Sequence, residues 1–153
     1  MRDLSSEELD RLLGRQVVAR LGVCDPKLER AYVVPVSYVR HDGRVYFHSA
    51  PGLKLDLLRQ HKGQICFEVD EIADEGEWQS LIAWGRFEEI RGAQARQNVL
   101  RAFGDRLARG PLRDRQNVGR AGSLGGGEVV YCIVIEEMTG RADSSGWIAT
   151  ESD

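Results

Sequence analysis

The chain has 153 residues and a formal net charge of -3, with 42% hydrophobic and 29% charged residues. That length fits a single domain, 1–153, with a real core, and the negative balance argues against a general nucleic-acid binder. No run approaches the ~18 apolar residues of a membrane span, and Met1-Arg2-Asp3 leads into no signal-like stretch, so a cytoplasmic protein is expected.

The chain opens with a helix over 1–14. Ser5 and Glu8 have capping-box spacing, Leu4 and Leu9 stand at hydrophobic-staple positions, and Leu9, Leu12 and Leu13 give an apolar face. Gly14 reads as its end. Strands are expected near 16–24, 31–40, 43–48, 64–70, 78–90 and 128–138, where β-branched and aromatic residues gather. Asp42-Gly43 marks a tight hairpin between the second and third. Many short strands and few helices suggest an antiparallel barrel, mainly β with flanking helices (α+β) and no bare edges.

The stretch after the third strand changes character at its midpoint. Val45, Tyr46 and Phe47 are strand-like, whereas Leu53, Leu57 and Leu58 fall at helical spacing and Gly63 reads as a stop. Ser49 stands where an N-cap belongs, and Pro51 suits a first helical turn. Such a start, with Gly52 and Lys54 close by, is a seat for a phosphate, because free N–H groups and the helix dipole attract anions.

Residues 92–109 read as a further helix with Val99, Leu100, Phe103 and Leu107 as its stripe and Gly110-Pro111 as its end. The segment 111–127 carries Arg113, Arg115 and Arg120 before a glycine tract and reads as a mobile loop within the domain. It lacks the Gly-Lys-Ser/Thr ending of a P-loop and precedes a strand instead of following one. Cys24, Cys66 and Cys132 lie singly in apolar runs and read as buried thiols, not a disulfide frame or metal site. Of the histidines, His41 belongs to the hairpin and His61 to a helix end. His48 closes a strand beside the phosphate turn and lacks the spacing of a metal motif. Trp78, Ser80 and Trp84 share one face of the fifth strand.

Ala31-Tyr32-Val33-Val34-Pro35-Val36-Ser37-Tyr38-Val39, the His41-Asp42-Gly43 hairpin, and Val45-Tyr46-Phe47-His48-Ser49-Ala50 with Gly52 and Lys54 together resemble the flavin-binding split barrel. That is the superfamily of pyridoxamine-phosphate oxidase-related proteins, in particular its nitroimidazole-resistance-like branch. Ile65 to Asp70, Ser80 to Ile90, and Val129 to Met138 with Thr139-Gly140-Arg141 resemble further strands of that branch. The resemblance implies a six-stranded antiparallel split barrel, a homodimer with flavin mononucleotide (FMN) at the interface, and a flavin-dependent oxidoreductase. It implies a small-molecule substrate, with a nitro compound the nearest, and NAD(P)H as a donor. Ser49, Ala50, Gly52, Leu53 and Lys54 would hold the phosphate; Pro35, Val36, Ser37 and Tyr38 would lie along the ring; His48, Trp84, Gly85 and Arg141 would reach the cofactor. The Arg-Leu-x-Pro-like C-terminal motif of true pyridoxamine-phosphate oxidases is absent, which argues against vitamin-B6 oxidation. A non-catalytic flavin- or haem-binding module, with His48 or His41 as axial ligand, is the alternative.

Overall fold

Six of the seven strands close into a ring in the computed structural model, which describes residues 1–25, 27–63, 65–73, 76–109 and 127–144. The elements in chain order are β1 (Arg2–Asp3), α1 (Ser6–Arg15), β2 (Val18–Asp25), β3 (Arg30–His41), β4 (Arg44–Ser49), α2 (Leu53–Gln60), β5 (Ile65–Ile72), β6 (Trp78–Glu89), α3 (Ala93–Arg109) and β7 (Val129–Asp143). The strand order is β1-β7-β4-β3-β2-β5-β6, all pairs antiparallel, and β6 also pairs with β7 to complete the ring. The expected mainly-β split-barrel fold with three helices is therefore present. Beyond the expectation, β7 runs on to Asp143, and Arg2–Asp3 adds a seventh strand against it.

Period-two alternation decides what fills the ring. Leu21 and Val23 of β2, Val36 and Tyr38 of β3, Phe47 of β4, Phe67 of β5 and Tyr131 of β7 all point inward. Phe47 stacks on Tyr131 with ring centroids 5.4 Å apart and meets Phe67 edge-on at 5.8 Å. The leucines of α1 and α2 join the same core. On α2 these are Leu55, Leu57 and Leu58, whereas Leu53, expected on the apolar face, is 59% exposed because the helix starts only there.

A second apolar layer lies outside the ring. Val99 and Phe103 of α3 cover Val39, Tyr46, Val130 and Cys132 on the outer faces of β3, β4 and β7. Burying those two α3 side chains contributes about 1.5–3 kcal/mol each, which outweighs the ~1 kcal/mol that Gly104 costs the helix. The side chain of Leu107, the Gly110-Pro111 stop and the segment 111–126 lie outside the described residues.

Local signals fix the joints. The Ser5 hydroxyl accepts from Glu8 N at 3.3 Å while Glu8 Oε2 accepts from Ser5 N at 2.8 Å. Arg2 clamps the same carboxylate at 2.9 and 2.7 Å, and these bonds, Arg2's first, hold Glu8 down to about 2. Gly14 does not end α1: the helix runs to Arg15 and closes with Gln16 N donating to Leu12 O at 3.2 Å. Asp42 and Gly43 take φ of 48° and 74°, the paired positive values that a two-residue hairpin turn needs. Between Trp84 and Gly85 the β6–β7 register shifts, and a Cβ on Gly85 would stand 2.2 Å from Val134 O. Its smallness serves that strand-to-strand approach. Among the described residues, no helix is long and apolar enough to cross a membrane.

Candidate functional site in the gap between β3 and β4

The ring is open along one edge. The β3–β4 ladder ends at Tyr38–Phe47, yet β3 stays paired with β2 as far back as Arg30–Asp25. The other edge of β3, from Arg30 to Ser37, therefore has no strand partner among the described residues, contrary to the expectation of no bare edge. Tyr38 N donates to Val17 O at 3.0 Å on the β2 side, so the alternation turns the N–H and carbonyl of Ser37 and the carbonyl of Pro35 toward the open edge. Pro35 and Ser37 are exposed, whereas Val36 and Tyr38 point into the core. The Tyr38 hydroxyl donates to Leu13 O at 2.6 Å inside the core, and burial pushes its phenol well above the ordinary range. Of the run 35–38, two residues thus face outward and two are structural.

Across the gap, β4 runs into α2. Ser49 is not the helix cap. It is the last residue of β4, paired with Val129, and its buried hydroxyl lies 3.5 Å from that of Tyr131. The cap position falls to Gly52, at φ 154°, a conformation that side chains disfavour and that supplies no capping oxygen. Pro51 sits before the helix instead of in its first turn, because Ser49 is held in the ladder. Ala50, Pro51 and Gly52 are exposed. The first N–H groups of α2 consequently have no side-chain cap.

Lys54 stands in this uncapped turn. It is half-buried, burial lowers its ammonium pKa, and it has no carboxylate partner among the described residues. A desolvated cation without a counter-ion at the positive end of a helix is an arrangement completed by an anion. That pairing was legible in the sequence, although Ser49's part in it was not.

His48 faces the other way, toward α3. Its ring meets Phe103 edge-on at 4.6 Å, and its Nδ1 lies 2.9 Å from Glu128 Oε2. The two atoms are close without forming a hydrogen bond, and neither has another hydrogen-bond partner. His41 rests against Tyr46, centroids 6.3 Å apart.

The remaining expected contacts lie elsewhere in the single chain. Register pairs Val33 with Gly22, Gly22 with Cys66 and Cys66 with Trp84, so Trp84 sits three strands from β3, roughly 14 Å around the ring. Val129 lies opposite Ser49, and Arg141 is 12 residues further along β7 (141 minus 129), roughly 40 Å of strand away. Arg141 faces Asp3 at 3.5 Å instead. Of the three cysteines expected to be buried, Cys132 is, Cys66 is half-buried and Cys24 is exposed on the outer face of β2.

The split ring thus sets an open strand edge across a gap from an uncapped, lysine-bearing helix start. The pyridoxamine 5'-phosphate oxidase family matches residues 5–142, and the chain belongs to that family. A solved FAD-binding protein of Mesorhizobium loti is 28% identical, covering 94% of this chain and 98% of its own, with a TM-score of 0.74. An FAD-binding protein of Mycobacterium smegmatis is 20% identical, with 93% and 99% covered and a TM-score of 0.65. An uncharacterised protein of Rhizobium meliloti (strain 1021) is 27% identical over 95% of this chain and 97% of its own.

Proposed function

We propose that this protein is a flavin-dependent oxidoreductase that seats the flavin phosphate, as FMN, on the start of α2, with a nitro compound as the nearest substrate class. One observation carries the reading: the unpaired, desolvated Lys54 in the uncapped first turn of α2, across the gap from the open edge of β3. Lys54 and the N–H groups of Leu53 and Leu55 would bind the phosphate. Ser37 N–H and the carbonyls of Ser37 and Pro35 would orient the polar edge of the ring along β3. Gly52 lets the backbone approach with no Cβ in the way, since nothing stands within 4 Å of that position. Bound there, a flavin would supply the hydride and electron chemistry. Flavin binding by the Mesorhizobium relative, at 28% identity, supports the cofactor class.

The site is half a site in this reading. Val18, Val33, Ile82 and Trp84 are 38–60% exposed on the outward face of β2, β3 and β6. Such an apolar face supports a homodimer in which the partner covers the gap and brings its own Trp84 to it.

The test is FMN binding by the purified protein and by Lys54→Ala. The wild type should take up FMN with a flavin absorption spectrum and sediment as a dimer. Lys54→Ala should lose about 1.5–3 kcal/mol of FMN affinity and little affinity for riboflavin, which lacks the phosphate. A wild type that binds FMN no better than riboflavin, or a mutant equal to wild type, would overturn the seat.

A further inference from the structure

A second cluster of positive charge lies outside the site just described. A cleft of about 510 Å³ opens between the end of α1, β3 and the last turns of α3. Four arginines line it (Arg15, Arg40, Arg106 and Arg109) against one acid, Asp105, in a protein whose net charge is negative. Between them lie the apolar side chains of Val17, Val39 and Ala102.

The four are not equivalent. Arg15 is paired with Glu71, and Arg40 with Asp10 at 2.6 Å. Arg106 is spent on the carbonyls that end α1, where it offsets the negative end of the helix dipole. Arg109 has no acidic partner among the described residues. The cleft thus offers one uncommitted guanidinium, two more on exposed, exchangeable ion pairs, and an apolar strip between them. Its complement is a small molecule with a phosphate at one end and an apolar or planar body.

Position narrows the choice further. Val39 is two residues from Ser37 on the same outer face of β3. Carrying the β3–β4 register past Tyr38–Phe47 puts Ser49 opposite Val36 and the α2 turn beyond it, away from Val39. Lys54 and the arginine cleft therefore flank the exposed β3 strip from opposite ends. A flavin phosphate on α2 leaves the cleft free at the far end of the ring.

We propose that the cleft holds the phosphate-bearing end of a second ligand, a phosphorylated co-substrate such as a nucleotide, whose other end reaches the Pro35–Ser37 strip. This rests on the flavin reading for its geometry and names the substrate class for the same site.

The experiment titrates ADP, as the probe, into the FMN-loaded protein and into Arg109→Glu and Arg109→Lys. ADP should bind the wild type, at least tenfold more weakly to Arg109→Glu, and nearly normally to Arg109→Lys, with FMN content equal in all three. Absence of ADP binding, or equal affinity in Arg109→Glu, would overturn the cleft. Loss of FAD affinity in Arg109→Glu with FMN affinity intact would also overturn the proposal, because the cleft would then hold the cofactor's own adenylyl end. Lys54→Ala separates the two readings: with no flavin bound it should still bind ADP, so the seat and the cleft can fail independently.

Discussion

Arg106, near the end of α3, donates from Nη2 to the carbonyl of Gly14 at 3.1 Å, and to those of Arg15 and Gln16 as well. One helix thus supplies the cation that closes the C-terminus of another. Arg106→Ala should cost about 1.5–3 kcal/mol, the range for hydrogen bonds to a charged group, read as a lower urea midpoint at unchanged slope. Arg106→Lys should recover much of this, because all three contacts come from the one nitrogen Nη2, whose place a three-proton ammonium can take. An unchanged midpoint in Arg106→Ala would mean that water closes α1 equally well.

Two glycines make a matched pair. At Gly85 a Cβ would meet backbone, Val134 O at 2.2 Å, whereas at Gly104 it would meet nothing within 4 Å. Gly85→Ala should destabilise by at least about 1–3 kcal/mol, since β7 must move to admit the methyl group. Gly104→Ala should stabilise by about 0.5–1 kcal/mol through the helix preference of alanine. Thermal unfolding reads both signs, and a stabilised Gly85→Ala would contradict the close approach.

Alkaline pH should unfold the protein through its buried phenols. Burial raises the Tyr131 hydroxyl from its ordinary 10.0 to about 12 and raises Tyr38 too. A raised folded-state pKa gives stability that is complete below pH 10 and is lost as pH climbs toward 12. Each phenol adds about 1.4 kcal/mol per pH unit to that slope. Urea midpoints should fall steeply above pH 10 in the wild type and less steeply in Tyr131→Phe. Parallel curves would place the ionisation elsewhere.

The strands were legible because their signals are local. The β-branched run of β3, the Asp42-Gly43 turn and the alternation of β6 fix their elements to within a residue or two. The Ser5–Glu8 box was legible for the same reason. What sequence reasoning missed depends on distant partners. Arg2–Asp3 has no pattern of its own and becomes a strand only because Ala142 and Arg141 lie beside it. Tyr38 reads equally well as a site residue until the alternation of β3 is anchored by Leu13, 25 positions away. Arg106 was invisible as a cap, since nothing near it in sequence points to Gly14. Trp84 and Arg141 looked local to the site only through the resemblance, and ring geometry sets Trp84 three strands from β3 and Arg141 far along β7 from Ser49 in one chain.

The open β3 edge and the uncapped α2 turn share one origin. Ser49 is held in the β4–β7 ladder, so the chain must leave the sheet through Pro51 and a glycine at φ 154°. A hydroxyl at position 52 could cap the helix only by straining the backbone, which keeps the helix start available.

The last strand also carries the order of events during synthesis. β7 bonds β4 on one side and β6 on the other, and takes in Arg2–Asp3 from the very beginning of the chain. Until residues 129–143 have left the ribosome, β4 and β6 are both raw edges and the N-terminal strand has nothing to pair with. The ring cannot be assembled vectorially. It snaps shut in a late, long-range step, and the growing chain is most exposed to strand-on-strand aggregation just before that step.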